Sequence, residues 1–301
     1  MKKHKLRVKL IALITLFIFG TGMSHTLKAQ IKIGVFADCQ YCDCEPAGNR
    51  YYRNSLLKLS DCLMEFNKDK QLDLIVGLGD LIDRDYESYK QVNAVLAKSN
   101  TKICQVTGNH DFAVDSAQKE DVPKALQLKK TYYSVKNKGW QFIFLDGNRI
   151  SVSSNNKETV NIANKMLAEL TAHKQPNNKE WNGGLGQDQI KWLEEQLINA
   201  EQKGQKVAIF CHYPLLPLEA HTLWDAAEVI EILKKYNSVK AWINGHNHAG
   251  NYALQDQIHF ITMRGMVDTE SENAFSKISF SDETIQIEAY GREISRTLPI
   301  K

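Results

Sequence analysis

One arrangement recurs along this chain and restricts its fold more than any other. An apolar run ends, and a side chain able to bind a metal stands at its C-terminal edge. Asp38 and Gln40 follow "IKIGVFA", Asp80 closes "LDLIVGLGD", Asn109 and His110 follow "TKICQVTG", His212 follows "KVAIFC", and His246 and His248 follow "VKAWING". In open α/β sheets, ligands gather beyond the C-terminal ends of strands. Seven ligand-type side chains, with His110 beside them, at five strand exits therefore predict one shared pocket. Taken singly, each has a bland reading as a turn, a cap or a structural histidine; the ordered set points to a metal centre.

The segments between these exits support layered α/β architecture. Strands are expected at 31–38, 72–80, 101–111, 140–147, 206–214 and 239–248. Helical apolar spacing marks 51–68 (Leu56, Leu59, Leu63, Phe66), 86–98, 158–174, 186–204 and about 222–235. Strands at 257–263, 274–280 and 284–290 make the tail β-rich. Such alternation implies helices covering a mixed sheet or sheets. Residues 148–185 are polar, broken by "QPNN" and "NGG", and read as an insertion at the rim, where selectivity is often built.

The first 29 residues differ from the rest. Lys2, Lys3, Lys5, Arg7 and Lys9 precede the apolar run Leu10 to Phe19, and Gly20 to Gly22 end it. This is the pattern of a signal peptide, 1–29, cut after Ala29, leaving a domain of 30–301 and a secreted or periplasmic protein. The alternative is an uncleaved anchor, but ten apolar residues are short for a bilayer core of about 30 Å. No stable membrane insertion is expected once the leader is gone. Six of the 38 basic residues and no acid lie in this leader, so the formal charge of +3 becomes −3 for 30–301. The basic balance belongs to the leader, and no basic stripe predicts nucleic-acid binding. No obligate protein partner is evident.

Three of the six cysteines fall in "ADCQYCDC", residues 37–44. Strand alternation turns Cys39 away from the side holding Asp38 and Gln40. Cys42 and Cys44 lie on the following loop. They are free to pair with each other, to pair with Cys62, Cys104 or Cys211, to stay reduced, or to join a thiolate cluster.

The set Asp38-x-Gln40, Gly79-Asp80, Gly108-Asn109-His110-Asp111, His212 and Gly245-His246-x-His248 resembles the calcineurin-like metallophosphoesterases. That resemblance implies a four-layer α-β-β-α sandwich of two mixed sheets flanked by helices, with the tail strands completing it. Gln40, where most of that family has His, narrows the resemblance to the Mn²⁺-dependent ADP-ribose/CDP-alcohol diphosphatases. "GVFADCQY", "RYYRNSLLKL", "NGGLGQDQIKWL", "GHNHAGNY" and "GMVDT" extend it. The export leader departs from those typically intracellular enzymes.

The resemblance implies two divalent ions, Mn²⁺ first, with Mg²⁺, Fe or Zn²⁺ as alternatives. Asp80 would bridge them, Asp38, Gln40 and His248 would complete one site, and Asn109, His212 and His246 the other. Mixed O/N ligation without thiolate suits Mn²⁺, and the amide oxygen of Gln40 is expected to bias the site further toward it. The implied activity is hydrolysis of a phosphoanhydride or phosphoester by attack of a metal-bridging hydroxide. The expected substrate is a small nucleotide-like phosphate, such as ADP-ribose or a CDP-alcohol. A broad phosphomonoesterase or phosphodiesterase is the alternative, and a binding protein without catalysis a third. His110 is the expected general acid, or an electrostatic contact to the transition state, with Asp111 orienting it; Asp83 is expected to support a metal ligand rather than to be one. Arg50, Tyr51, Arg53, Asn182 and Gly183 are candidate substrate contacts, with Tyr52 either among them or in the helix core. Leu215 and Leu216 are candidates for an apolar wall.

Overall fold

A computed structural model describes residues 30–301, so the expected leader, 1–29, lies outside the described residues. In chain order the elements are β1 (Ile31–Phe36), α1 (Tyr52–Lys68), β2 (Leu74–Gly77), α2 (Ser88–Leu96), β3 (Ile103–Gln105), α3 (Val122–Ala125), β4 (Tyr133–Asn137), β5 (Trp140–Phe144) and α4 (Lys157–Ala172). They continue with α5 (Gln187–Gln202), β6 (Lys206–Phe210), α6 (Ala226–Leu233), β7 (Val239–Asn244), β8 (Asn251–Gln255), β9 (Ile258–Thr262), β10 (Ala274–Phe280), β11 (Thr284–Gly291) and β12 (Arg296–Pro299).

Two six-stranded mixed sheets face each other, in the orders β12-β11-β10-β1-β2-β3 and β4-β5-β6-β7-β9-β8. β1, β2 and β3 run parallel, as do β5, β6, β7 and β9, while β10 to β12, β4 and β8 add antiparallel margins. Alternation along the strands builds the middle of the sandwich. Ile31, Ile33 and Val35 of β1 pack inward with Phe142, Phe144, Phe210, Ile243 and Ile278. The outward residues meet helices: Leu59, Leu63 and Phe66 of α1 cover the first sheet, and Ile190, Leu193 and Leu197 of α5 the second. Each large side chain so buried contributes about 1.5–3 kcal/mol. The result is the expected four-layer α-β-β-α sandwich.

β4, β8 and β12 were not expected from the sequence. All three are sheet edges. They carry polar residues on their open faces, as in the half-exposed "NYALQ" of β8, so their apolar periodicity is weak. Segment 148–185 leaves β5 and returns to α5. It is closed at its base by reciprocal Ile150–Gly184 backbone hydrogen bonds of 2.9 Å. Its helix α4 buries only Ala163 fully. Among the described residues, no helix is long and apolar enough to cross a membrane.

Candidate metal centre

The strand exits converge as the sequence predicts. The backbone there is shaped for it: Asp38, Gln40, Asp80 and His246 adopt positive φ of 50°, 42°, 53° and 69°. Non-glycine residues in this region carry strain of order 1 kcal/mol or more, which accumulates where surrounding structure fixes a functional geometry. Gly108 is required by close approach, because a Cβ there would stand 2.1 Å from Asp80 Oδ1.

Asp80, fully buried, lies between two groups. On one side its Oδ2 is 3.1 Å from Gln40 Nε2, and Gln40 Nε2 is 3.3 Å from His248 Nε2. His248 Nε2 in turn is 3.4 Å from Asp38 Oδ1. On the other side Asp80 Oδ2 is 3.2 Å from His212 Nε2, which lies 3.3 Å from Asn109 Oδ1 and 3.1 Å from His246 Nδ1. All seven candidate ligands are thus brought together, in the two groups expected.

Partners fix how each imidazole presents itself. His212 Nδ1 donates to the Leu78 carbonyl at 2.7 Å and His248 Nδ1 to Asp268 Oδ1 at 2.9 Å. Asn182 spends its amide hydrogens on the carbonyls of Asn177 and Ala220, so its Oδ1 accepts from His246 Nε2 at 2.9 Å. The lone pairs of His212 Nε2, His246 Nδ1 and His248 Nε2 therefore all point into the centre. Gln40 Oε1 is buried with no donor while its Nε2 faces Asp80 and His248, and exchanging the two ends of the amide would turn the oxygen to the centre. Converging lone pairs, an orphaned amide oxygen and two carboxylates form a donor set that needs positive charge, and mixed O/N atoms fit hard or borderline divalent cations.

The electrostatics show the same demand. Burial pushes Asp80 upward, but the imidazoles of His212, His110 and His246 outweigh it and hold the carboxyl well below its usual range. Burial works against protonation of His212 and His248, yet Asp80 beside the first and Asp38 with Asp268 beside the second raise each to about 9. Burial, then the neighbouring His212, drives His246 well below its ordinary value.

His110 donates its backbone N–H to Asp80 Oδ1 at 2.8 Å. Its Nδ1 faces the Asp83 carbonyl at 2.9 Å, with Asp83 Oδ1 3.2 Å away. Burial lowers the affinity of this ring for a proton, but Asp80 and Asp83 raise it on balance. The expectation that Asp111 orients His110 is not met. Asp111 instead accepts from the backbone of Gly108, Asp80 and Leu81 and from the Tyr89 hydroxyl, clamping two strand exits together. Burial, then Asp80, raises its carboxyl to about 6. Asp83 supports His110.

Of the candidate substrate contacts, Arg50 alone lines the central cavity of about 320 Å³, with Gln40, Asp80, Asn109, His110, His246 and His248. Arg53 is paired with Asp43 and Glu45 on the exposed surface. Tyr51 is not on the cavity wall, and its N–H is bonded to the Val267 carbonyl. Gly183 gives its carbonyl to Trp224 N–H. Asn182 holds a candidate ligand. Tyr52 packs with Cys42 and Val267, and Leu215 belongs to the core under α5 and α6. Two cavity residues were missed. Trp181, 48% exposed, and His221 complete the wall. Only their neighbours in sequence, the "NGG" turn and the helix start, hinted at this.

Cys39 faces outward into the α1 core, where burial pushes its thiol up to about 12. Cys42 is disulfide-bonded to Cys44, and the other four cysteines are buried and free. No thiol joins the central cavity.

Fold and centre together define a phosphoesterase of the dimetal type, and residues 31–250 match the calcineurin-like phosphoesterase family. The chain belongs to that family, a class of dinuclear metal-dependent hydrolases of phosphate esters or anhydrides. It is similar to the manganese-dependent ADP-ribose/CDP-alcohol diphosphatase of Arabidopsis thaliana, 29% identical over 76% of this chain and 83% of that protein. The Mus musculus protein of the same name is 26% identical over 90% of this chain and 93% of its own length. Among solved structures, a dimetal phosphatase from Danio rerio superposes with a TM-score of 0.81 at 23% identity, covering 90% of this chain and 99% of that one.

Proposed function

We propose that this protein is an exported, Mn²⁺-dependent diphosphatase that cleaves the P–O–P bond of nucleoside diphosphate derivatives such as ADP-ribose or CDP-alcohols. The relatives' names support the activity, and the leader's composition supports export. The observation that carries the reading is Arg50. It lines the cavity, and among the described residues its side chain has no hydrogen bond or ion pair. A phosphomonoester needs one charged group held at the centre. A diphosphate has a second, and a free guanidinium binds it with paired N–H donors.

Two divalent cations at Asp38, Gln40, Asp80, Asn109, His212, His246 and His248 would supply Lewis-acid stabilisation of phosphoryl charge and an acidified water. The chain's own residues do the rest. His110 is anchored through Nδ1, so its Nε2 is the atom free to give a proton to the leaving phosphate oxygen. Arg50 holds the phosphate that is not attacked. Trp181 and His221 flank the cavity, and burial lowers His221 toward the neutral imidazole, so that wall repels no cation and suits an uncharged ring or sugar.

A chromatographic assay of the Mn²⁺-loaded enzyme is expected to convert ADP-ribose to AMP and ribose 5-phosphate, faster than it releases nitrophenol from p-nitrophenyl phosphate. Preference for the monoester would overturn the reading. Export is checked separately by N-terminal sequencing of protein recovered outside the cytoplasm, which should begin at Gln30.

A further inference from the structure

Residues 265–269, between β9 and β10, carry Asp268 and run as a strap along one side of the site. Met266 and Val267 donate their backbone N–H groups to the carbonyls of Ala37 and Asp38, each at 2.9 Å. The Val267 carbonyl accepts from Tyr51 N–H, and Thr269 N–H donates to the Asn49 carbonyl, also at 2.9 Å. Arg50 is thereby bridged to Asp268. Gly265 lies against the His248 ring, where a Cβ would stand 2.6 Å from His248 Cγ, and Asp268 Oδ1 accepts from His248 Nδ1. The strap thus touches Asp38, His248 and the backbone on both sides of Arg50.

Two cations grip it from behind. Lys58, 4% exposed, reaches out of α1 and donates Nζ to the carbonyls of Asp268 at 3.0 Å and Thr269 at 2.9 Å. One turn earlier on α1, Asn54 donates to the Glu270 carbonyl at 2.8 Å. Arg292, just beyond β11, donates Nη2 to the Gly265 carbonyl and, at 3.5 Å, to that of Asp268.

An ammonium is a costly choice for this position. Leu59, Cys62 and Leu63 of the same helix are core residues, and burying a charge costs several kcal/mol before any bond offsets it. Burial, then the neighbouring Arg292, lowers the Lys58 ammonium to about 8. Two like charges are therefore held close together, and what they share is the Asp268 carbonyl. The hydrogen bonds to the strap are the compensation, so the strap is fixed where an apolar residue at 58 would leave its carbonyls unpaired.

We propose that Lys58 is a positioning residue for the reaction: with Arg292 it holds the strap so that Asp268 meets His248 and Arg50 lines the cavity. Lys58 is not on the cavity wall and acts through Asp268 and through residues 49–51. The consequence is coupling, because the metal side of Asp38, Gln40 and His248 shares one support with the clamp for a second phosphate. The Arg50 half of this rests on the diphosphatase reading; the His248 half does not.

The test is Lys58→Met, which keeps the length of the side chain and removes its N–H donors. Equilibrium dialysis with Mn²⁺ alone should show that the class of ion loosened by Asp268→Ala is loosened here too, by about 10–100-fold, with the other class unchanged. At saturating Mn²⁺, KM for ADP-ribose should rise by about tenfold or more relative to KM for p-nitrophenyl phosphate, since only the diphosphate uses Arg50. Should Lys58→Met fail to fold, Arg292→Lys keeps the charge and loses the fork, with the same pattern expected. A merely structural lysine would lower the melting temperature and leave both measurements at their wild-type values, which would overturn the proposal. Equal loosening of both Mn²⁺ classes, or a KM rise shared by both substrates, would overturn it as well. Wild-type enzyme that leaves ADP-ribose intact would sink the diphosphatase reading instead, and the Mn²⁺ titration would then decide the role of Lys58 by itself.

Discussion

The two sides of Asp80 are built from different atoms. One gathers an asparagine oxygen and two imidazole nitrogens, from Asn109, His212 and His246. The other gathers a carboxylate, an amide oxygen and one imidazole, from Asp38, Gln40 and His248. Their supports differ as well. His246 is held by Asn182, which belongs to the segment between β5 and α5, whereas His248 is held by Asp268, just before β10. The nitrogen-rich side is secured partly by the rim, so rim sequence can change it. The oxygen-rich side is secured from the tail and carries the orphaned Gln40 Oε1. An amide oxygen is a harder and weaker donor than an imidazole, so the second side should bind its ion less tightly and favour Mn²⁺ over softer ions.

The largest effect should come from the shared residue. Asp80→Asn removes the charge that both sides use and is expected to lower kcat by about 10³-fold or more, with metal content falling on both sides. A variant that keeps two ions and near-normal turnover would break the comparison at its centre. Next, His110→Ala should cost about 10²–10⁴-fold in kcat while both ions stay bound. The two supports then separate the halves. Asn182→Ala and Asp268→Ala are each expected to weaken one ion by about 10–100-fold, and metal titration should show a different class affected in each variant. Loss of the same class in both would show that the halves are not independent. Finally, Gln40→His should narrow the preference for Mn²⁺ over Zn²⁺, measured by competitive loading.

Each side also contains one imidazole that is strongly basic without metal. His212 and His248 titrate near 9 in the fold, against about 6.5 for an unfolded histidine. Because the folded values are raised, the stability they confer is complete below about pH 6.5 and is lost as pH rises through about 9. The melting temperature of the metal-free protein should therefore fall across that window. Ligation needs deprotonated imidazoles, so Mn²⁺ should flatten the fall. A flat metal-free profile would contradict the assignment of charge to these two rings.

The centre was legible in the sequence because its ligands sit in short motifs at strand ends, where chain direction alone brings them together. What supports the ligands was not. Asp111 follows His110, yet neighbours on a tight 3₁₀ turn point apart, so Asp111 faces the backbone of residues 80, 81 and 108 while Asp83, 27 positions earlier, meets His110. Asn182 is a candidate substrate contact from its "NGG" setting; its amide is instead saturated by Asn177, Ala220 and His246. Trp181 and His221 reach the cavity from two loops whose approach depends on tertiary packing. The layers followed from apolar periodicity, and the edge strands β4, β8 and β12 escaped it because one face of each is open.

The most direct measurement is a count of bound Mn²⁺ per chain by equilibrium dialysis, on wild type and Asp268→Ala. Two ions of unequal affinity are expected in the wild type, and Asp268→Ala should lose the weaker one first while the stronger remains. A single ion in the wild type, or loss of the stronger ion in Asp268→Ala, would contradict a centre made of two unequal halves joined at Asp80.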